Sequence, residues 1–350
     1  MLADVAVEQA DAGGAQPALT PRPVASSVDE LLAGATAREP FLTSDSKSGS
    51  AFERVVIDGE PHIVKYVHVD DDWTMRMCGD IGCHPAQVWR AGLMDALPDR
   101  IDHAVVGVAD GLGRHGWGAA LLMRDVSDAM VPEGDSMLSP DEHAQIVDDI
   151  AALSARLWGW RDTIGLVPLG NRYSWFNPGS LEVERERGWP VPVPKIADEG
   201  WQRFAQRAPA DVLATIEALR HDVGPLVDAL TTTPLTFVHG DWKLGNVGLG
   251  ADGRTVLIDW AYPGEAPCCY ELTWHLAVNR SRIPESKEAC IDRFRGSLGR
   301  HGVATDGWFD HQLAYCLLGG LVIFGWEKAY GDDEELGWWC DRAREGAARL

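Results

Sequence analysis

A chain of 350 residues that is 45% hydrophobic has material for one large domain or two medium lobes. Its 31 Lys and Arg against 53 Asp and Glu give a formal net charge of −22, which argues against a nucleic-acid partner because phosphate backbones demand a basic surface. The same field attracts cationic ligands and repels nucleotides, so any nucleotide site has to supply local positive charge from lysine, metal or helix N-termini. There are only six lysines (Lys47, Lys65, Lys195, Lys243, Lys287 and Lys328), which makes their positions informative.

Seven cysteines, odd in number and with Cys268 and Cys269 adjacent, fit reduced thiols better than a disulfide framework. Cys78, Cys83 and His84 lack a second C-x-x-C pair and read as buried or incidental residues rather than zinc ligands. The apolar stretch Leu313 to Trp326 is about 14 residues long and broken by three glycines, so it reads as a buried helix and not a membrane span. The first residues lack the basic start and apolar core of a signal peptide, and the cytoplasm is the expected location.

Residues 1–27, rich in Ala, Gly, Pro and Asp without apolar periodicity, are expected to form a mobile arm. A short helix over 28–37 follows. Strands are expected at 52–57 and 63–67 around an Asp58-Gly59 turn, and at 104–108 and 117–123 flanking Gly111 and Gly113. Between these pairs, 85–97 reads as one helix. Residues 28–123 therefore form a sheet lobe with one helix, joined near Met123 to Val126 to a helical lobe over 124–350. In that second lobe Ser139, Pro140 and Glu142 spell a capping box, and Ile146, Ile150, Leu153 and Leu157 recur at helical spacing. Further helices are expected at about 211–222, 285–299 and 307–327.

The segment that carries chemistry is Leu235-Thr-Phe-Val-His239-Gly240-Asp241-Trp242-Lys243-Leu244-Gly245-Asn246, followed by a hairpin turning at Asp252-Gly253 and by Ile258-Asp259-Trp260. Phosphoryl transfer needs little covalent help from a protein; its sites consist of metal ligands, phosphate clamps and a group that orients the attacking hydroxyl. An Asp, an Asn five residues on and a second Asp beyond a hairpin can supply those parts, with Asp241 accepting or orienting the substrate proton.

This segment resembles the H-G-D-x-x-x-x-N motif and following Ile-Asp-Trp of the aminoglycoside phosphotransferase and choline kinase-like families. The resemblance implies an α+β, bilobal protein-kinase-like fold and transfer of the ATP γ-phosphoryl group to a hydroxyl of a small molecule such as an aminoglycoside, amino sugar, choline-like amine or sugar. It implies Asn246 and Asp259 as Mg2+ ligands, Asp241 as base, and His239 as a brace. Lys65, mid-strand in Ile63-Val64-Lys65-Tyr66-Val67, stands where these families place a phosphate-contacting lysine, the alternative being a solvent-facing side chain. Lys243 is placed to offset charge on the transferred group, or is a surface lysine. A nucleotide loop is expected at 46–50, with Ser48 and Gly49 approaching phosphates, and adenine is expected against the backbone of Met123 to Asp125. The 85–97 segment contains no glutamate to pair with Lys65; Gln87 stands near the expected place, and either Asp80 or Asp95 substitutes or Lys65 has no carboxylate partner until nucleotide binds, a gap that keeps open a nucleotide-binding module without transfer activity. Trp260, Tyr262, Tyr270 and Trp274, and Trp326, Trp338 and Trp339 beside Asp332 to Glu335, would suit a cationic acceptor through cation–π and ionic contacts, or would stack on sugars, or are core. Glu271 is expected to be structural. The oligomeric state is not encoded in any of these patterns.

Overall fold

The computed structural model of the chain describes residues 18–41 and 48–350. The helix expected over 28–37 is a single turn, α1 (Val28–Leu31), capped by Ser27. The chain then enters strand β1 (Ala35–Phe41), an exposed edge strand that carries no apolar alternation and includes Pro40. β1 pairs with β2 (Ala51–Ile57), which turns at Asp58 and Gly59 into β3 (Glu60–His68). Both turn residues have positive φ (53° and 84°), the backbone that matches the twist of a two-residue hairpin.

The helical segment between the strand pairs is split. A helix α2 (Trp73–Cys78), N-capped by Asp72, precedes α3 (His84–Ala91), and α3 stops where Gly92 adopts a left-handed conformation at φ 73°. A single 3-10 turn, Leu93–Ala96, covers the rest of the expected helix. Next come β4 (Ile101–His103), β5 (Val105–Leu112) and β6 (Gly118–Arg124). The first sheet is antiparallel in the order β1-β2-β3-β6-β5. Along β3, Val64 points into a small core with Val55, Ala109 and Ala120, while Lys65 and Val67 face the other way, toward the second lobe.

Two expected boundaries shift. Part of the segment assigned to a mobile arm packs on the first lobe: Arg22 N donates to Arg90 O at 3.0 Å, its guanidinium sits 4.3 Å from the Trp89 ring centroid, Trp89 Nε1 donates to Pro23 O at 2.9 Å, and Ala25 N donates to Val108 O on β5 at 2.8 Å. The remainder of that arm, 1–17, lies outside the described residues. β4, assigned to the first lobe, pairs in parallel with a strand of the second.

The second lobe is built from α4 (Pro140–Arg156), α5 (Leu169–Tyr173), α6 (Pro178–Glu186), α7 (Pro192–Arg207), α8 (Ala210–His221) and α9 (Gly224–Thr231). Strands β7 (Thr236–Val238), β8 (Val247–Leu249), β9 (Thr255–Leu257) and β10 (Gly264–Ala266) follow, then α10 (Cys268–Val278), α11 (Lys287–Arg300), α12 (Phe309–Lys328) and α13 (Asp333–Ala347). The capping box at α4 is present: Ser139 N donates to Glu142 Oε2 at 2.8 Å and Glu142 N to Ser139 Oγ at 3.2 Å. α12 is the central buried helix read from Leu313 to Trp326, and among the described residues no helix is long and apolar enough to cross a membrane. All seven cysteines are free and buried.

The lobes are clasped away from the hinge. Arg76 on α2 makes two hydrogen bonds, at 2.6 and 2.8 Å, to the buried Glu184 on α6, and Asn171 Nδ2 donates to Cys78 O at 2.9 Å.

Candidate active site

Buried strand β7 delivers His239-Gly240-Asp241 to the floor of the cleft between the lobes. Gly240 turns there at φ 90°, and a Cβ on it would lie 2.2 Å from Tyr262 O, so only glycine fits. Asp241 N donates to His239 Nδ1 at 3.2 Å, which puts the ring proton on Nε2, 3.1 Å from Ile258 O. Burial pushes His239 down to about 3, so the ring is a neutral strut linking this turn to the segment before Asp259.

Helix α10 holds the turn along one face. Glu271 accepts from His239 N at 2.5 Å and Gly240 N at 3.1 Å; three residues on, Trp274 Nε1 donates to Asp241 Oδ1 at 2.7 Å. Asn279 accepts from Leu244 N at 2.9 Å and donates to Trp242 O at 2.8 Å. Residues at i, i+3 and i+8 share a helix face, so this one element and its C-terminal residue hold five of the six loop residues from 239 to 244.

Asp241 is almost fully buried (3% exposed), with Asn246 Nδ2 donating to its Oδ2 at 2.8 Å and Lys243 Nζ 3.6 Å from the same oxygen. Burial raises its pKa; Lys243 and the Trp274 and Asn246 hydrogen bonds oppose that rise, and the Asp259 charge adds to it. Ile258 N donates to Asn246 O at 3.0 Å, tying the two metal-ligand candidates together through the backbone. Asp259 follows β9 in a left-handed conformation at φ 61°, a strained geometry for a residue other than glycine and one that clusters at functional sites. Its Oδ1 lies 2.6 Å from Lys65 Nζ. Burial pushes the Asp259 carboxyl up, but Lys65 and then Lys243 outweigh it and hold it at about 2.

The carboxylate partner of Lys65 is thus Asp259, and none of the substitutes considered from sequence. Asp80 caps the turn into α3 through Gly82 N and His84 N, and Asp95 pairs with Arg22.

With one oxygen of Asp259 taken by Lys65 and the Asn246 nitrogen spent on Asp241, Asp259 Oδ2 and Asn246 Oδ1 are the side-chain oxygens left over from these contacts. Two hard oxygens of this kind would suit a hard divalent cation such as Mg2+. The Cys78, Cys83 and His84 set forms no metal-ligating cluster. The one grouping of that kind among the described residues is His143, His275 and Cys290, all buried.

Ser48 O accepts from Trp73 N at 3.2 Å, and Ser50 Oγ donates to Asp72 Oδ2 at 2.9 Å, so this end of the β1–β2 connection is pinned to the start of α2. Gly49 is required by close approach to protein backbone, since a Cβ there would lie 2.4 Å from Asp71 O. Ser46 and Lys47 lie outside the described residues. A cavity of about 700 Å³ opens beside Gly49, Tyr66, His68, Gly113 and Val191, and Lys65, Asp241 and Asp259 do not line it. At the connector, Arg124 N and Asp125 N are committed to Ala104 O and Pro61 O, and the Asp125 carboxylate accepts from Ser127 N.

The aromatic residues fall into two sets. Trp338 and Trp339 belong to α13, whose first turn contains the acidic run. There Asp332 is the N-cap, and Glu335 takes Lys287 at 2.5 Å and Trp339 Nε1 at 2.8 Å. That cluster is architecture. Trp274 and Tyr262, by contrast, pack with Trp175 directly beside Asp241. The hydrogen bond from Trp274 to Asp241 was missed; its spacing three residues after Glu271 was the available signal.

A small sheet lobe over a helical lobe, with a strand lysine meeting an Asp across the cleft from an Asp–Asn pair, defines a phosphotransferase. The sequence pattern of the phosphotransferase enzyme family matches residues 91–308, more than half of the chain, and the chain belongs to that family. Solved structures similar to it include a choline kinase from Streptococcus pneumoniae (13% identity, 92% of this chain and 96% of that one, TM-score 0.48). A microcompartment-associated aminopropanol kinase is similar at 12% identity over 89% and 90% of the two chains, with TM-score 0.47. An aminoglycoside phosphotransferase from Streptomyces rimosus, solved with ADP and streptomycin, is 18% identical over 80% and 94%, with TM-score 0.45. No curated protein matches the chain.

Proposed function

We propose that the chain transfers the γ-phosphoryl group of ATP, with Mg2+, to a hydroxyl of a small cationic alcohol, and that Asp241 is the base. The observation that carries this reading is the Asp241 carboxylate, buried at the cleft floor, gripped by two neutral donors and with Lys243 3.6 Å away. As the acceptor oxygen bonds to the γ-phosphorus, the bond from phosphorus to the β–γ bridging oxygen breaks and ADP leaves. The hydroxyl proton passes to Asp241, and Lys243 offsets charge on the transferred group. Lys65 contacts the phosphates, exchanging its Asp259 partner for them. Asn246 and Asp259 would hold Mg2+, which supplies charge neutralisation on the phosphates.

The acceptor class rests on two features. A net charge of −22 concentrates cations around the molecule, and the rings of Trp175, Tyr262 and Trp274 stand beside the base. Amino sugars, aminoglycosides and choline-like amines share that chemistry. The seven free thiols favour a reducing, cytoplasmic compartment.

The test is ADP release from ATP with and without Mg2+, screened over aminoglycosides, choline analogues, amino sugars and neutral sugars. Acceleration confined to amines supports the reading, and acceleration by neutral sugars alone removes the cationic assignment. Nucleotide binding with no ADP release for any acceptor would instead support a binding module.

A further inference from the structure

We propose that Trp274 is a positioning residue for the catalytic carboxylate, its indole N–H fixing Asp241 so that Oδ1 is the oxygen that meets the acceptor hydroxyl. This rests on Asp241 being the base. The geometry is a 2.7 Å bond from Trp274 Nε1 to Asp241 Oδ1, made inside the protein, with Trp274 itself 5% exposed.

The two oxygens of Asp241 are not equivalent. Oδ2 accepts from Asn246 Nδ2 at 2.8 Å and faces Lys243 Nζ at 3.6 Å, whereas Oδ1 accepts from the indole alone among the hydrogen bonds to this side chain. A carboxylate oxygen has room for two donors, so Oδ1 keeps a site beside the indole for a hydroxyl. An indole N–H donates and cannot accept. It can therefore orient the base without competing for the proton the base must take, which a hydroxyl or imidazole in its place would do.

The indole itself is immobilised. Its ring meets Phe324 at 4.9 Å and Trp175 at 5.5 Å edge-on, and lies 5.9 Å from Tyr270. Its helix is fixed to the same loop by Glu271 and Asn279. Loss of the N–H leaves a buried carboxylate oxygen without its donor, and the remaining donor, Asn246, permits rotation about the Cβ–Cγ bond.

The test uses the full chain and Mg2+–ATP, with water as the phosphoryl acceptor so that no acceptor need be known. Trp274→Phe is expected to lower kcat about 10- to 100-fold and to leave KM for ATP and ADP affinity within about 2-fold. Asp241→Asn runs beside it. If Asp241→Asn turns over like the unmodified chain, the base assignment falls; if it is inactive while Trp274→Phe keeps its rate, the positioning role falls. Should Trp274→Phe fail to fold, the indole resonance of Trp274 in the unmodified chain decides. It is expected far downfield and to shift on Asp241→Asn, and an unshifted resonance overturns the proposal.

Discussion

Lys65 Nζ and Asp259 Oδ1 stand 2.6 Å apart, so a cation from the middle of β3 and an anion from the end of β9 meet across the interlobe cleft, 194 residues apart in the chain. Each group neutralises the other in a largely enclosed place. Lys65→Met should free Asp259 to titrate nearer the ordinary carboxylate range and weaken phosphate contact. We expect kcat/KM for ATP to fall about 10- to 100-fold, with calorimetry showing weaker ADP–Mg2+ binding. Unchanged ADP affinity would mean that Lys65 serves the Asp259 pairing alone.

Gly240 is the least replaceable residue of the loop. Its φ is 90°, and a side chain there would bring Cβ within 2.2 Å of Tyr262 O, so backbone strain combines with a clash against main chain that cannot move aside. Gly240→Ala should cost on the order of 3 kcal/mol of stability, read as a lower midpoint in urea unfolding.

The pH dependence of stability follows from three buried groups. Burial holds His239 and His275 at about 3, against 6.5 for an unburied ring. Their contribution is therefore present above 6.5 and is lost as pH falls toward 3, because the unfolded chain takes up both protons first. Glu271 runs the other way: burial raises it to about 7 from 4.5, so its contribution is full below 4.5 and is lost as pH rises through 7. Between about pH 6 and 4.5 these three groups alone net roughly one proton, or about 1.4 kcal/mol of lost stability per pH unit, and Asp149, raised by burial to about 6, offsets part of it. Thermal midpoints should fall over that range, and Glu271→Gln, lacking the offset, should fall more steeply.

The buried His143, His275 and Cys290 group has metal-site spacing, yet its hydrogen bonds are already assigned. Leu244 N and Trp242 O fix the Asn279 amide, whose remaining N–H faces His275 Nδ1 at 3.0 Å. The His275 proton is then on Nε2, directed at His143 Nε2 at 3.3 Å, and His143 Nδ1 faces Glu285 at 3.2 Å. A metal would have to displace that Nε2 proton and reverse the tautomer. Purified protein should carry no stoichiometric zinc by elemental analysis, and the presence of zinc would overturn this tautomer assignment.

Asp241, Asn246 and Asp259 could be singled out because they fall in one short motif, and the metal and base roles given to them come from the family resemblance of that motif; strand alternation left Lys65 free to face either solvent or the second lobe. What stayed hidden was carried by tertiary contact. β1 has no apolar alternation, and the ends of α2 and α3 depend on Gly79 and Gly92 adopting left-handed conformations. The Lys65 partner and the indole on Asp241 come from elements 194 and 33 residues away along the chain. Residues 18–27 look featureless in composition, yet Arg22 and Pro23 find partners on α3.

The most direct test of the central claim is ADP release from Mg2+–ATP by the unmodified chain and by Asp241→Asn, with ADP–Mg2+ affinity measured on both. Loss of the base should lower turnover about 10²- to 10⁴-fold while affinity stays unchanged. Equal turnover by the two proteins would contradict Asp241 as the base.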